Sequence, residues 1–428
     1  MRGVNTFVQS ERQPFSVAVR SFLPPSVVVP FSYSRERDYA CMVRAGDRVV
    51  EGQVVAVSRL PMGADIHSPV PGIVEKVVQC PLPNGCVGKA LSIKLGGAFS
   101  YLGKKPVYAD WSSFSGDALL AIFKKKGVVN TFHGHKPLAE TISRCKAGRD
   151  RFLVVRLFDE DPSRMTDSFI ASQCTSELVV GVQIVARALN ASGILFAVGK
   201  KSDVSLPPEL FSDPSVMMVQ CDTARYPAGF RQNLVAQIKK QCVSGKDSPF
   251  SAIGNASVFI DPETALSAYE AVVTGVPVVE RYVHVTGSCL NAAAMFKVRI
   301  GTTIESLVQQ CGGLKKRPAK IIINGMITGS AVSSLETPVT RHVKSVAFVP
   351  AGELNDQRLA PCVRCGKCRA ICPEGLFPDL MFRQRADGMA LGEDFVRTAS
   401  LCSDCCLCNS VCPSRLPLCQ TIALLRNG

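Results

Sequence analysis

Two cysteine runs near the C-terminus decide how this sequence is interpreted. They read Cys362-Val-Arg-Cys365-Gly-Lys-Cys368-Arg-Ala-Ile-Cys372-Pro373 and Cys402-Ser-Asp-Cys405-Cys-Leu-Cys408-Asn-Ser-Val-Cys412-Pro413. Both follow the spacing Cys-x2-Cys-x2-Cys-x3-Cys-Pro. Of the 19 cysteines in the 428-residue chain, ten lie in the last 70 residues, so the clustering needs a chemical cause.

This spacing is typical of proteins that hold two [4Fe-4S] clusters. Three closely spaced cysteines surround one cluster, and the Cys-Pro of the opposite run supplies the fourth thiolate. The rule assigns Cys362, Cys365, Cys368 and Cys412 to one cluster, and Cys402, Cys405, Cys408 and Cys372 to the other. Zinc also uses Cys-x2-Cys pairs, but two complete four-cysteine runs exceed what a zinc site needs. Cys406 and Cys419 are surplus, and we expect both to be bystanders, although Cys406 could compete with its neighbour.

The composition is that of a globular protein, with 46% hydrophobic and 20% charged residues, which excludes global disorder. The richest apolar stretches end well short of the ~20 residues that a membrane-spanning helix needs. The first residues lack the apolar centre of a secretory signal, so we expect a reducing cytosol. Disulfides explain 19 cysteines poorly there, and the other nine are expected to be scattered buried thiols.

The formal net charge of +14 indicates an acidic partner. Aromatic residues make up 7% of the chain, and no basic and aromatic residues alternate as they do in surfaces that stack bases. The charge is also dispersed. We therefore expect no nucleic-acid binding, and instead an acidic protein or a membrane surface.

Residues 40–80 carry short apolar runs of period two, punctuated by Gly and Pro, which predict a small all-β module. The pattern resembles the flattened sandwich of biotinyl and lipoyl carrier domains. Those carriers bear a Lys at the hairpin tip, whereas residues 60–65 here read Leu-Pro-Met-Gly-Ala-Asp. The module is therefore predicted to be structural.

From about residue 117 strands alternate with helices, which indicates an α/β domain with a largely parallel sheet. Strands are expected at residues 152–155, 178–182, 194–198 and 216–219, and helices at 117–124, 181–191 and 230–240. A compact α+β module follows, with a helix at 262–273 capped by Asp261, a helix at 303–310, and strands at 278–285 and 319–323. Residues 373–401, between the cysteine runs, carry apolar residues at helical spacing. A helical ferredoxin module is therefore predicted.

Taken in order, these segments resemble the C subunit of the Rnf-type electron transport complex, a membrane complex that couples electron transfer between ferredoxin and NAD to ion translocation. The resemblance rests on the motifs Tyr-Pro-Ala-Gly (226–229), Gly-Val-Pro-Val-Val-Glu-Arg (275–281), Val-Thr-Gly (285–287), Gly-Thr (301–302), Cys-Gly-Gly-Leu (311–314) and Asn-Gly-Met-Ile-Thr-Gly (324–329), followed by the cysteine runs. The corresponding A component of the sodium-translocating NADH:quinone reductase shares the front domains but lacks the clusters, so it fits less well.

The resemblance implies a multidomain α/β and α+β protein. Its predicted parts are an N-terminal β barrel-sandwich (1–105), a Rossmann-like flavin/NADH-type domain (106–250), a β-grasp domain (251–335), and a linker with an α-helical two-cluster ferredoxin (336–428).

Two segments depart from the family pattern. Residues 127–136 read Gly-Val-Val-Asn-Thr-Phe-His-Gly-His-Lys, where the family has a glycine-rich loop that cradles flavin and nucleotide phosphates. Residues 156–162 read Arg-Leu-Phe-Asp-Glu-Asp-Pro in place of Asn-Gly-Ala-Glu-Cys-Glu-Pro. Either FMN and NADH bind through an altered loop, or the domain is a scaffold and electrons enter at the clusters. The lost glycines favour the second interpretation. His133 and His135 are interpreted as loop histidines rather than metal ligands.

The resemblance implies a peripheral electron-relay subunit on the cytoplasmic side of the bacterial inner membrane. Its expected cofactors are two [4Fe-4S] clusters, with FMN as the open alternative. Its expected partners are integral membrane subunits of the same complex and an acidic soluble carrier of the ferredoxin or flavodoxin type. Two further hypotheses are an iron-sulfur subunit of a soluble catabolic dehydrogenase and a non-catalytic assembly adaptor. No catalytic residue is assigned.

Overall fold

The computed structural model describes residues 4–5, 15, 17–31, 39–145, 151–242, 250, 253–254, 257–354, 359–386 and 393–426. Within these ranges no single helix is long and apolar enough to cross a membrane. Two consecutive helices, Thr166–Gln173 and Thr175–Leu189, satisfy the length and composition test only as a pair, and they meet at 100°.

The N-terminal part consists mainly of two antiparallel sheets. The strands are β1 (Val4–Asn5), β2 (Val19–Arg20), β3 (Ser26–Pro30), β4 (Tyr39–Cys41), β5 (Arg48–Val49), β6 (Val54–Ser58), β7 (Ile66–His67), β8 (Gly72–Pro81) and β9 (Val87–Leu95). Strands β3 to β9 form the two sheets, in the orders β3-β9-β8-β5 and β4-β6-β7. Apolar residues such as Val27, Val55 and Leu91 form the core between these sheets. The predicted β sandwich is confirmed.

The lysine-free hairpin tip packs against the rest of the molecule. The Asp65 N–H donates to the Lys124 carbonyl at 3.0 Å, and the buried Arg341 guanidinium donates to the carbonyls of Asp65 and Gly127. These contacts give the tip a structural role.

The middle of the chain forms a four-stranded sheet covered by helices on both faces. Its elements are α1 (Gly116–Lys126), β10 (Val129–Asn130), β11 (Lys136–Pro137), α2 (Leu138–Ser143), β12 (Phe152–Arg156), α3 (Thr166–Gln173), α4 (Thr175–Leu189), β13 (Gly193–Gly199), β14 (Val216–Cys221), β15 (Arg225–Tyr226), α5 (Arg231–Cys242), β16 (Val258–Ile260) and α6 (Pro262–Val273). The order β14-β13-β12-β16 is parallel throughout. Strand β12 is buried along its whole length, as a strand between two helical layers must be.

The strand predicted at residues 178–182 is wrong, because these residues lie inside α4. A continuous apolar run cannot by itself distinguish a buried strand from a buried helix. Helix α4 packs so closely on α6 that a Cβ on Gly181 would overlap the Ala265 carbonyl group. The N-cap of α6 is confirmed, since the Asp261 side chain accepts from the Thr264 N–H at 2.9 Å.

A mixed six-stranded sheet with one α-helix follows. Its elements are β17 (Glu280–Thr286), β18 (Ala294–Arg299), α7 (Ile304–Gln310), β19 (Lys320–Ile323), β20 (Ser330–Val332) and β21 (Ser345–Val349), in the order β2-β18-β17-β21-β19-β20. Each sheet includes strands from outside the segment for which it was predicted. Strand β16 lies after residue 250 but completes the parallel sheet. Strand β2 lies before residue 106 and β21 after residue 335, but both belong to the mixed sheet. The tertiary pairing therefore crosses the predicted boundaries at residues 105, 250 and 335.

The C-terminal part is helical, with no strand in residues 359–386 and 393–426. It contains α8 (Lys367–Ile371), α9 (Pro378–Ala386), α10 (Glu393–Ala399), α11 (Leu407–Ser410) and α12 (Leu418–Arg426). The predicted helical insertion between the cysteine runs is confirmed by α9 and α10, while residues 387–392 lie outside the described residues. Helix α12 begins and ends 40 residues after α9, and α11 begins 40 residues after α8. The two cysteine runs thus belong to an internal structural repeat.

Candidate iron-sulfur centre

The two cysteine loops share an unusual backbone. Arg364 and its repeat equivalent Asp404 both have φ of 53°. Gly366 has φ of 73° and its equivalent Cys406 has φ of 56°, and each is the N-cap of the short helix that follows. Two left-handed residues within one run coil the chain tightly, so its thiols can converge on one point.

The first loop gathers the four cysteines that the sequence assigns to one cluster. Cys362, Cys365, Cys368 and Cys412 line one small cavity, together with Asp379 from α9. The Cys368 thiol donates to Asp379 Oδ1 at 3.8 Å. Arg369 holds both Asp379 oxygens, at 2.6 and 2.7 Å. Cys365 is exposed, so this group of thiols faces the surface.

The second loop is more buried. Cys405 and Cys408 are buried and Cys402 is partly buried. The predicted fourth ligand, Cys372, is buried in the same apolar cluster as Cys402, and its Sγ accepts the Leu376 N–H at 3.4 Å. All of these cysteines are free thiols.

Cys419, expected to be a bystander, lies in the second group. Its Sγ, the Cys402 Sγ and an Asp404 oxygen lie within 4.8 Å of one another, which is the one such group of three donors among the described residues. Cys402 and Cys408 each have the Cys419 thiol as a hydrogen-bond partner. The 40-residue repeat carries the signal that sequence reasoning missed, because Cys419 is the equivalent of Asp379. Cys406 is partly buried and packs against the apolar cluster that contains Cys368 and Cys408.

Burial favours the protonated form of the thiols in both groups. Burial raises the pKa of the Cys405 thiol to about 11, and it also raises the pKa values of Cys368 and Cys372. The hydrogen-bonded Cys419 thiol and burial raise the pKa of Cys402 and of Cys408. Thiols crowded in this way stay protonated at neutral pH unless a metal stabilises the thiolates. The donor set fits soft, thiolate-bound iron.

The second cysteine loop docks on the parallel-sheet part through the Tyr-Pro-Ala-Gly motif. The buried Tyr226 hydroxyl donates to the Cys405 carbonyl at 2.7 Å. Tyr226 and Phe230 pack against Cys405 and Leu407, and the Gln232 amide donates to Glu374. The motif therefore fixes the position of one cysteine loop.

A cleft of about 1030 Å³ lies between the parallel-sheet part and the C-terminal helical part. One wall carries Phe132, His133 and Lys136 from the altered loop, and the opposite wall carries Cys402 and Asp404. Basic side chains line it as well, namely Lys136, Arg144, Arg231 and Arg426. A molecule in this cleft would lie beside the second group of thiols.

The altered loop at 127–136 uses its amide groups internally. The Thr131 N–H donates to Thr264 Oγ1, and the Phe132 N–H donates to Asn130 Oδ1. Asn130 and Lys136 pair as antiparallel strands. The fully buried Arg156 donates to the Phe132 carbonyl, and its guanidinium lies 4.4 Å from the Phe132 ring centroid. In this part of the loop, Thr131 and Phe132 have no amide left to cradle a phosphate.

Two acidic residues of the segment 159–161 also accept hydrogen bonds from the backbone. Asp159 accepts the Asp167 and Ser168 N–H groups at the start of α3. Asp161 accepts the N–H groups of Ile327 and Thr328. These carboxylates hold backbone segments together, so they are structural here.

The two loop histidines lie apart from the cysteines. His133 Nδ1 is 2.7 Å from Glu160 Oε1, and that carboxylate raises the pKa of His133 although burial opposes it. The His135 ring stacks on His342, with centroids 4.1 Å apart. In the described part of the chain, neither belongs to a group of three metal donors.

Known proteins resemble this chain in two of its regions and in its fold. The family model for the RnfC barrel sandwich hybrid domain matches residues 8–97, and the SLBB domain model matches residues 282–329. A solved NAD+-reducing [NiFe]-hydrogenase has a similar fold, with a TM-score of 0.50 at 13% identity over 78% of this chain and 66% of that chain. The chain is thus similar to RnfC proteins in its N-terminal domain.

Curated relatives resemble the chain over most of its length. The chain is 25% identical to the C subunit of the proton-translocating ferredoxin:NAD(+) oxidoreductase complex of Clostridium ljungdahlii, over 84% of this chain and 78% of the relative. It is 24% identical to the Na(+)-translocating counterpart of Acetobacterium woodii, over 83% of this chain and 80% of the relative. It is 25% identical to the C subunit of the ion-translocating oxidoreductase complex of Yersinia enterocolitica, but spans only 53% of it. The resemblance to the C subunit of the Rnf-type complex is thereby confirmed.

Proposed function

We propose that this protein is an electron-relay subunit of an Rnf-like, ion-translocating oxidoreductase complex. The observation that carries the proposal is the repeated cysteine loop, whose two copies gather thiols into two adjacent groups. The names of the relatives supply the context of ferredoxin:NAD oxidoreductase activity and ion translocation. Electrons would pass between a soluble carrier and membrane subunits.

Each group of thiols would hold one [4Fe-4S] cluster, which supplies one-electron transfer when bound. The ligands of one cluster are Cys362, Cys365, Cys368 and Cys412, and those of the other are Cys402, Cys405, Cys408 and Cys372. The chain's own contribution is to bury the second set and to donate the Leu376 N–H to Cys372, as an amide does when it tunes a thiolate ligand. The exposed loop around Cys365 leaves the first set accessible to a partner.

Electrons enter at the clusters in this proposal, and the parallel-sheet domain acts as a scaffold. The occupied amides of Thr131 and Phe132 and the buried Arg156 against Phe132 support this interpretation. One observation favours a second candidate function. The basic cleft beside Cys402 is large enough for an anionic aromatic molecule such as FMN, so flavin and NADH binding through an altered loop is the alternative.

The partners would be integral membrane subunits of the same complex and an acidic carrier of the ferredoxin or flavodoxin type. The net charge of +14 supports an acidic partner. The protein would then work at the cytoplasmic side of a bacterial inner membrane. The iron-sulfur component of a soluble catabolic dehydrogenase would lack membrane partners, and an assembly adaptor would lack reducible clusters.

The test is anaerobic purification followed by iron, sulfide and flavin analysis, EPR and titration with NADH. We expect about eight irons per chain, a reducible iron-sulfur signal, no flavin and no reduction by NADH. Stoichiometric FMN that NADH reduces would overturn the scaffold interpretation in favour of the cleft. A protein without a reducible signal would overturn the relay function. Co-purification with membrane subunits would separate the Rnf-like complex from a soluble dehydrogenase.

A further inference from the structure

Asp379 and Cys419 occupy equivalent positions in the repeat, and each lies beside one group of cysteines. One position has a carboxylate and the other a thiol. Each belongs to the first turn of its helix, α9 or α12. Asp379 lines the first cavity, and Arg369 fixes both of its oxygens. The first group therefore has four thiols and one neutralised carboxylate.

The equivalent position in the second repeat places the Cys419 thiol beside the second group of cysteines. Cys419 is 4% exposed, and its N–H is fixed by Asn409 Oδ1 at 2.9 Å. Asn409 is the repeat equivalent of Arg369. Arg369 therefore orients Asp379 in the first repeat, and Asn409 orients Cys419 in the second. The Cys419 Sγ then lies within 4.8 Å of the Cys402 Sγ, in contact with Cys408 as well.

The second group therefore contains five thiols for four iron corners. Cys402, Cys405 and Cys408 come from one loop. Cys372 reaches the group from the other loop, through an apolar cluster that it shares with Cys402. Cys419 contacts both Cys402 and Cys408, so it converges on the same loop.

We propose that Cys419 is a fifth ligand residue of the second iron-sulfur site, able to replace Cys372 at the fourth iron. This inference rests on the proposed cluster-binding function. In the exchange the bond between Cys372 Sγ and iron breaks, and Cys372 takes up a proton. Cys419 loses its proton and its Sγ forms the new bond, so no electron is gained or lost.

The repeat offers a matched experiment. Cys372→Ser and Cys412→Ser each remove the fourth ligand of one site, but only the second site has a spare thiol. We expect C372S to retain about eight irons per chain, whereas C412S and the double variant C372S/C419S fall to at most about seven. Iron and sulfide content and EPR, which separates four-iron from three-iron sites, are the readouts.

Each outcome decides the question. If the wild-type protein binds about eight irons and C372S loses as much iron as C412S, the inference fails while the proposed function stands. If C372S/C419S keeps all its iron, another donor such as Asp404 fills the position, and the inference also fails. A wild-type protein without iron contradicts the proposed function itself.

A second variant covers the case in which C372S does not fold. Asp379→Cys should give the first site the spare thiol that the second site has. We expect D379C/C412S to recover about eight irons, compared with at most about seven in C412S. Failure of this rescue in a folded protein would contradict the geometric basis of the inference.

Discussion

At the level of single residues, the left-handed positions in the cysteine loops show how the thiols are brought together. Gly366 adopts φ of 73° without strain, whereas its equivalent Cys406 adopts φ of 56° with a side chain attached. The second loop therefore carries a conformational cost that the first does not.

Replacing Cys406 with Gly should relieve this strain. We expect C406G to stabilise the C-terminal part by about 1 kcal/mol while iron content stays unchanged. The urea midpoint at which the iron-sulfur absorbance is lost measures the effect. Gly366→Ala is the matched control, because a Cβ there meets no atom within 4 Å; it should destabilise by a similar amount. An iron-depleted C406G would show instead that Cys406 is a ligand.

Tyr226 links two parts of the molecule through one hydrogen bond. Removing its hydroxyl leaves the Cys405 carbonyl without that donor, so Tyr226→Phe should cost about 1 kcal/mol of docking free energy. Hydrogen exchange of the amides at 402–412 should become faster in Y226F. Tyr108→Phe is the control, since Tyr108 is exposed and should leave exchange unchanged. Unchanged exchange in Y226F would show that apolar packing alone holds the loop.

At the level of elements, helix α6 and its neighbours bury a network of charges. Lys344 Nζ lies 2.5 Å from both Asp167 and Asp261. Nearby, Glu263 on α6 lies 3.8 Å from Arg281. Burial raises the pKa of Glu263 to about 7, because the Arg281 charge offsets only part of the desolvation.

This shift predicts a pH dependence of stability. An unfolded Glu ionises near its ordinary pKa of about 4.3, whereas folded Glu263 keeps its proton until its pKa of about 7. The folded state thus binds more protons between these values, and stability falls as pH rises through this window, by up to about 4 kcal/mol. Glu263→Gln should remove that slope, so its stability relative to wild type should be higher at about pH 8 than at about pH 4.

Urea unfolding followed by the fluorescence of Trp111 measures this difference, because Trp111 packs against the same core as α6. Titration of other groups cancels in the comparison of variant with wild type. Equal differences in unfolding free energy at both pH values would mean that Glu263 has an ordinary pKa.

At the level of the whole molecule, the two groups of thiols have opposite environments. The second is buried against the parallel-sheet part and its cleft, whereas the first faces outward at Cys365. Exposed apolar and basic residues surround that outward group, namely Leu359, Val363, Arg364 and Lys367. In the proposed function, the acidic carrier would dock here, with the apolar residues at the centre of the contact.

Charge reversal tests this docking surface. Lys367→Glu should slow electron transfer from a reduced acidic ferredoxin several-fold at low salt, and the difference should shrink as salt screens the charges. Stopped-flow measurements at several ionic strengths give the rates. Lys200→Glu is the control, since Lys200 is exposed in the parallel-sheet part. Equal slowing by both substitutions would point to a net-charge effect rather than to a docking site.

The order of amino acids alone was enough to predict the helical cysteine-rich end, the β sandwich, the α6 cap at Asp261 and the family resemblance. These features are encoded locally, because ligand spacing, period-two patterns and caps involve residues close together in the chain. Local patterns failed at residues 178–182, where an apolar run suits a buried helix and a buried strand equally well.

Packing in three dimensions decides where the surplus thiol and the altered loop lie. Cys419 joins its group because a repeat brings the start of α12 onto the second loop. The Thr131 amide is occupied because Thr264, on another element, reaches it. The cleft lies beside Cys402, whose loop Tyr226 contacts from a distant part of the chain. These contacts depend on how separate elements pack, so local patterns do not reveal them, and only the 40-residue repeat marks position 419 in the sequence.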